Sequence, residues 1–140
     1  MPMNQEQNGK RNRFSHFLMY QFPAFVWAGT IYIISSIPKI TLPKINFISV
    51  DKAGHIGVFF VLGILVYRAF EPRIKESTLR FKRFLFSFLI TISYGISDEI
   101  HQSFIPGRFL DKYDMLADGI GALLAGIVVY LFLRRRLKLK

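Results

Sequence analysis

The sequence predicts an all-α membrane protein: a four-transmembrane-helix bundle with cytoplasmic N- and C-termini. Three observations lead there. Four apolar segments are each long enough to cross a hydrocarbon core of roughly 30 Å, which takes about 20 helical residues. The 140-residue chain is 51% hydrophobic yet carries a net charge of +10, and the charge lies between the apolar runs. Lysine and arginine also divide unevenly between the two sides that four crossings would create.

Residues 1–16 are polar, rich in Asn, Gln and Gly, and read as a disordered tail. Lys10, Arg11 and Arg13 resemble the charged start of a signal peptide. The apolar run that follows is too long for one and shows no small-x-small cleavage site, so it reads as an uncleaved first span. That span covers about residues 17–37 and ends at Pro38, with Pro23 placed to kink it. The second covers about 51–70 and ends at Glu71-Pro72. The third covers about 84–104 and ends at Pro106-Gly107. The fourth covers about 113–133 and runs into Arg134, Arg135 and Arg136. Residues 17–133 thus form one membrane domain, and 134–140 a basic cytoplasmic tail.

Fourteen cations fall on one side: Lys10, Arg11 and Arg13; Arg68, Arg73, Lys75, Arg80, Lys82 and Arg83; Arg134, Arg135, Arg136, Lys138 and Lys140. Five fall on the other: Lys39, Lys44, Lys52, Arg108 and Lys112. The richer side is cytoplasmic by the positive-inside rule. The asymmetry favours topology signalling and anionic-lipid contact over nucleic-acid binding. With no cysteine, thiolate metal sites, disulfides and Cys nucleophiles are excluded.

The acids run the other way. Asp51, Asp98, Glu99, Asp111, Asp114 and Asp118 lie at or near the outer face. At about 1.5 Å per residue, His55, Asp98 and Asp118 each lie about 21–22 Å from the cytoplasmic end of their helix. Three helices therefore place an ionisable group at one level. Asp51 and His55, Asp114 and Asp118, and Asp98 and Gln102 are spaced i,i+4, and Asp98 and His101 i,i+3, so each pair shares a helix face. Tyr94 lies one turn below Asp98. Glu99, turned about 100° away, faces a different neighbour.

Several of these residues also have plain structural roles. Asp51 suits a cap or a first-turn acid, and Asp111 a cap for the fourth helix. Lys52 can snorkel, Gln102 can bridge helices, and an isolated His55 would be a packed polar group. Asp98 and Asp118 fit such roles less well. Asp98 lies where the helix dipole disfavours a carboxylate, and Asp118 is too deep for a cap. Each needs a proton, a basic partner (Arg108, Lys52 or His101) or a cation. Small residues at i,i+4 lie beside them: Ala117, Gly121 and Ala125 on the fourth helix, Ala53 and Gly57 on the second. They suit close helix packing.

Ser35-Ser36-x-Pro38, Asp51-Lys52-x-x-His55, Asp98-Glu99-x-His101-Gln102, Pro106-Gly107-Arg108, and then Asp114 and Gly121, resemble in order the pattern of the VanZ-like family of bacterial membrane proteins. The pattern spans residues 31–126. Asp118 departs from it, standing where the family favours Asn. The family is named for a protein associated with teicoplanin resistance, so the resemblance implies a cell-envelope setting rather than a chemistry.

Two functions follow as expectations. One is an enzyme at the extracytoplasmic face of the cell membrane, acting on a lipid-linked or amphiphilic envelope substrate. Asp98, His55, His101 and Asp118 would be its catalytic groups, and Arg108, Lys52, Gln102, Tyr94 and Glu99 its substrate-binding groups. Asp98, His101, Asp114 and Asp118 alternatively suit a divalent cation, since carboxylate and imidazole take Zn²⁺ or Mn²⁺, and carboxylate and water take Mg²⁺. The second is a binder that sequesters an amphiphile or lipoglycopeptide, or a subunit of an envelope complex. A transporter fits less well, because polar groups at one end make no through-path. There is no HExxH or serine-nucleophile motif.

Overall fold

The computed structural model describes residues 12–38, 48–70 and 77–138, with side chains described throughout except at 48–50, 77–80 and 133–138. The expected tail residues 1–11, the loop cations Lys39, Lys44, Arg73 and Lys75, the helix-ending pair Glu71-Pro72 and Lys140 lie outside the described residues. The described residues form four helices and no strand: α1 (Asn12–Ser35), α2 (Ile48–Ala69), α3 (Ser77–Gln102) and α4 (Lys112–Lys138).

α1, α2 and α4 are long and apolar enough to cross a membrane, over Asn12–Ser35, Asp51–Ala69 and Lys112–Phe132. α3 has the length, 26 residues or about 39 Å. It is less apolar, because Lys82 and Arg83 stand near one end and Asp98, Glu99 and His101 near the other. Large apolar side chains face outward on every helix, among them Phe25, Ile33, Val61, Phe86, Leu123 and Phe132. Such a surface suits lipid rather than water.

The helices start earlier or run further than apolarity alone predicts. Asn12–His16 are helical and continue into α1. A π-helical stretch, Phe17–Gln21, then takes the place of the expected kink. Pro23 has no N–H for the residue four back and its ring crowds that carbonyl. The wider turn, with Phe22 N–H donating to Phe17 C=O, accommodates it. α3 begins at Ser77, and Arg83, expected as a loop cation, is buried within it. Its Nε donates to the Tyr67 carbonyl at 3.2 Å, and its guanidinium stacks 4.0 Å from the Tyr67 ring centroid. Arg83 therefore holds the basic end of α3 to the last turns of α2.

The tightest packing is between α2 and α4. Gly121 permits it: a Cβ there would collide with the Ile56 carbonyl. Ala117, Gly121 and Ala125 are buried as their spacing predicts. The small residues on α2 behave differently. Ala53 and Gly57 are exposed, and Ile56, Phe60 and Gly63 face α4 instead. α1 leans on this pair through a core of Ile31, Phe59, Leu62 and Val66. Trp27 Nε1 donates to the Val58 carbonyl (3.0 Å) and Tyr94 Oη to the Ala28 carbonyl (2.6 Å), tying α1 to α2 and α3.

Candidate functional site

The end of α1, the start of α2, the end of α3 and the start of α4 meet at one end of the bundle. Asp98 (α3) is buried there with both oxygens bonded. Ser35 Oγ donates to Oδ1 at 2.6 Å and Gln102 Nε2 to Oδ2 at 2.8 Å. Gln102 Oε1 in turn accepts from Arg108 Nη1 at 2.9 Å. Arg108 also donates from Nε to the Ile37 carbonyl (3.0 Å) and from Nη2 to the Ile34 carbonyl (3.2 Å). It thus closes the carboxyl end of α1, where carbonyls lack helical partners.

The turn that delivers Arg108 follows from its sequence. Arg108 N–H bonds the Ile105 carbonyl at 3.1 Å, with Pro106 and Gly107 between them. Gly107 has φ 77°, the left-handed conformation that the third position of a type II turn requires.

The second cluster lies between α2, α3 and α4. His55 Nδ1 is 2.9 Å from Asp118 Oδ1, and His55 Nε2 is 3.9 Å from Asp114 Oδ2. Lys52 Nζ bridges Asp114 (2.7 Å) and Asp111 (3.0 Å). Asp111 caps α4 as expected, its Oδ1 accepting from Tyr113 N–H at 2.8 Å. That bond, with Lys52 beside it, holds the Asp111 carboxyl below the usual carboxylate range. Glu99 Oε2 accepts the Asp111 N–H at 3.2 Å. Glu99 and Asp118 are both fully buried, and each keeps one oxygen, Glu99 Oε1 and Asp118 Oδ2, without a hydrogen-bond partner among the described residues.

A cavity of about 210 Å³ joins the clusters, lined by Ser35, Asp51, His55, Asp98, Gln102 and Arg108 with apolar residues of α1 and α2. A larger apolar cavity of about 400 Å³ lies further along the same three helices, between Ala24, Phe25 and Ala28 of α1, Leu62 and Val66 of α2, and Ile90 and Tyr94 of α3.

The expected convergence of His55, Asp98 and Asp118 thus resolves into two adjoining clusters. Tyr94 sits at the apolar cavity rather than the polar one. His101 stacks on Tyr32 with 4.5 Å between ring centroids and bonds Ser36 at 2.9 Å, so its partner is α1 rather than Asp98. Asp98, His101, Asp114 and Asp118, expected as metal ligands, do not converge: Asp98 pairs with Ser35 and Gln102 and His101 with Ser36, while Asp114 and Asp118 flank His55. Among the described residues, His55, Glu99 and Asp118 have ligand atoms within 4.8 Å of one another. Asp51 lies in the first turn of α2, as the dipole favours, and also lines the polar cavity. Spacing missed Ser35 as a partner for Asp98, because only the docking of α1 brings the two together.

A family model described as VanZ/LLP1 matches residues 2–134. The chain belongs to the VanZ/LLP1 family. Among curated proteins it is 31% identical over 88 residues to the uncharacterized protein C11E3.10 of Schizosaccharomyces pombe; the match covers 63% of this chain and 51% of that protein. The chain therefore spans about half the length of that relative. No solved structure matches.

Proposed function

We propose that this protein is a membrane enzyme that takes an amphiphile with an anionic headgroup into the seam between α1 and the α2–α3 pair and acts on the headgroup. The observation that carries this reading is the pair of cavities in series, polar then apolar, along one seam. A headgroup fits the first and an acyl or prenyl chain the second. Asp98, oriented by Ser35 and Gln102, is the acid–base group. His55 and Asp118 form the second reactive pair. Two Arg108 N–H groups beyond those committed to Ile34, Ile37 and Gln102 meet the anionic headgroup. Lys52, held by Asp111 and Asp114, offsets the charge of those two carboxylates beside the cavity.

In this reading α3 is the fourth span, both termini are cytoplasmic and the polar end faces outward. The basic residues at the opposite end support that orientation. Teicoplanin resistance is one setting for such an activity. This chain is also similar to a protein of fission yeast, which supports defining the substrate by its amphiphilic chemistry rather than by one antibiotic.

The closed relay Arg108–Gln102–Asp98–Ser35 favours a second reading, a binder that holds the amphiphile without changing it. Lipid profiles of cells expressing the wild type, Asp98→Asn or neither separate the two. An enzyme alters one amphiphile class in the wild type only, with Asp98→Asn inserted to the same level. A wild-type profile identical to that of cells lacking the protein contradicts the enzyme.

A further inference from the structure

We infer that His55, Glu99 and Asp118 form a binding site for one divalent cation of the Zn²⁺ or Mn²⁺ class, beside the polar cavity that His55 lines. The inference deepens the proposed function and rests on its claim that this end of the bundle is a working site.

Three observations support it. The three side chains come from three helices, and one ligand atom of each lies within 4.8 Å of the others. A modest contraction brings them to metal bonds of about 2.0–2.2 Å. Second, Glu99 and Asp118 each use one oxygen on a protein donor, the Asp111 N–H and His55 respectively, and leave the other buried and unbonded. A buried carboxylate oxygen without a donor is costly, and a cation removes the cost for both at once. Two carboxylates and a neutral imidazole balance a divalent charge, and oxygen and imidazole nitrogen suit Zn²⁺ and Mn²⁺ better than soft ions.

Third, the surroundings match how metal-binding histidines are held. His55 presents Nδ1 to Asp118, and its Nε2 faces Asp114, whose other oxygen is fixed by Lys52. At 3.9 Å the Asp114 carboxylate attracts a proton on Nε2 and so favours the tautomer that leaves Nδ1 free for an ion, Asp118 Oδ1 then turning from the imidazole to the ion. Gly95 leaves room for the ligand, since a Cβ there would lie 2.9 Å from Asp118 Oδ2. His55 also lines the polar cavity, so an ion held there is within reach of a bound headgroup. Three protein ligands leave a coordination position for water or a headgroup oxygen.

The test uses the full chain purified in detergent, stripped with chelator and reloaded with Zn²⁺ or Co²⁺. Elemental analysis of the wild type should give about one Zn²⁺ per chain, and the Co²⁺ form should show visible absorption of a low-coordinate site. Glu99→Gln and Asp118→Asn, which preserve shape, should weaken binding about tenfold or more while eluting as the wild type does. Asp98→Asn should retain the metal, because its oxygens serve Ser35 and Gln102. X-ray absorption at the zinc edge of the wild type should show one imidazole, a readout that needs no variant. A wild type without stoichiometric metal, a zinc edge without imidazole, or equal binding in Glu99→Gln and Asp118→Asn overturns the site. If the wild type binds no metal but still alters an amphiphile, the ion is refuted and the enzyme reading stands.

Discussion

His55 Nδ1 and Asp118 Oδ1 lie 2.9 Å apart although 63 residues separate them in sequence. The contact joins α2 to α4 at the level where both helices turn polar. It also gives Asp118, fully buried and more than one turn inside α4, its one hydrogen-bonding partner among the described residues. Removing either side chain should therefore have a large effect.

His55→Ala leaves the Asp118 carboxylate buried with neither oxygen bonded. Leaving a buried carboxylate without its partner costs about 3–5 kcal/mol. Thermal unfolding in detergent should show a marked fall, whereas Asp118→Asn, which keeps an acceptor for the imidazole, should lose much less. Equal losses would mean that the pair is held by packing alone.

Arg108 joins three acceptors, the Ile34 and Ile37 carbonyls and Gln102 Oε1. A lysine ammonium cannot reproduce the planar fork. Arg108→Lys should lower activity on the amphiphile about tenfold, in line with about 1.4 kcal/mol for one lost charge-assisted bond. Amide exchange should rise at Ser36 and Ile37, where α1 ends. Full activity with unchanged exchange would remove Arg108 from the site.

The glycines of α2 and α4 should respond in opposite ways. Gly121→Ala drives a methyl into the Ile56 backbone, and overpacking of this kind costs about 1–3 kcal/mol. Gly57→Ala meets nothing within 4 Å and should be neutral or stabilising by up to about 1 kcal/mol through helix propensity. Unfolding midpoints of the two variants check the contrast.

The depressed Asp111 carboxyl makes a small acid-sensitive contribution. A group whose folded pKa lies below its unfolded value stabilises above the unfolded value, about 3.9, and loses that contribution as pH falls through the folded value. Asp111→Asn keeps the α4 cap but loses the charge pairing with Lys52. The wild type should exceed it by less than about 1 kcal/mol at neutral pH, because the pair is part-exposed. The two should converge once pH falls below the folded value of Asp111. A gap that persists in acid would point to the cap rather than the charge.

Much of this was legible in the sequence. Hydrophobic length marked four helices, and depth counted along them placed His55, Asp98 and Asp118 at one end. Glu99, one residue beyond Asp98, does face a different neighbour: the start of α4. Pairings between helices were not legible, because i,i+3 and i,i+4 spacing fixes faces but not the rotation of one helix against the next. Hence Asp98 pairs with Ser35 on α1 rather than with His101, and the exposed Ala53 and Gly57 yield the α4 contact to Ile56 and Gly63. Arg83 shows why the start of α3 was misplaced. A cation can be buried where a carbonyl and an aromatic face receive it, as Tyr67 does.

The most direct test of the central claim is photocrosslinking in vesicles, using an anionic phospholipid with a diazirine at the end of its acyl chain and mapping by peptide mass spectrometry. The account predicts preferential labelling of Ala28, Leu62, Val66 and Tyr94 around the apolar cavity, lost in Arg108→Ala and weaker for a zwitterionic headgroup. Labelling confined to outward-facing residues such as Phe86, Leu123 and Phe132, indifferent to headgroup and to Arg108, would contradict it.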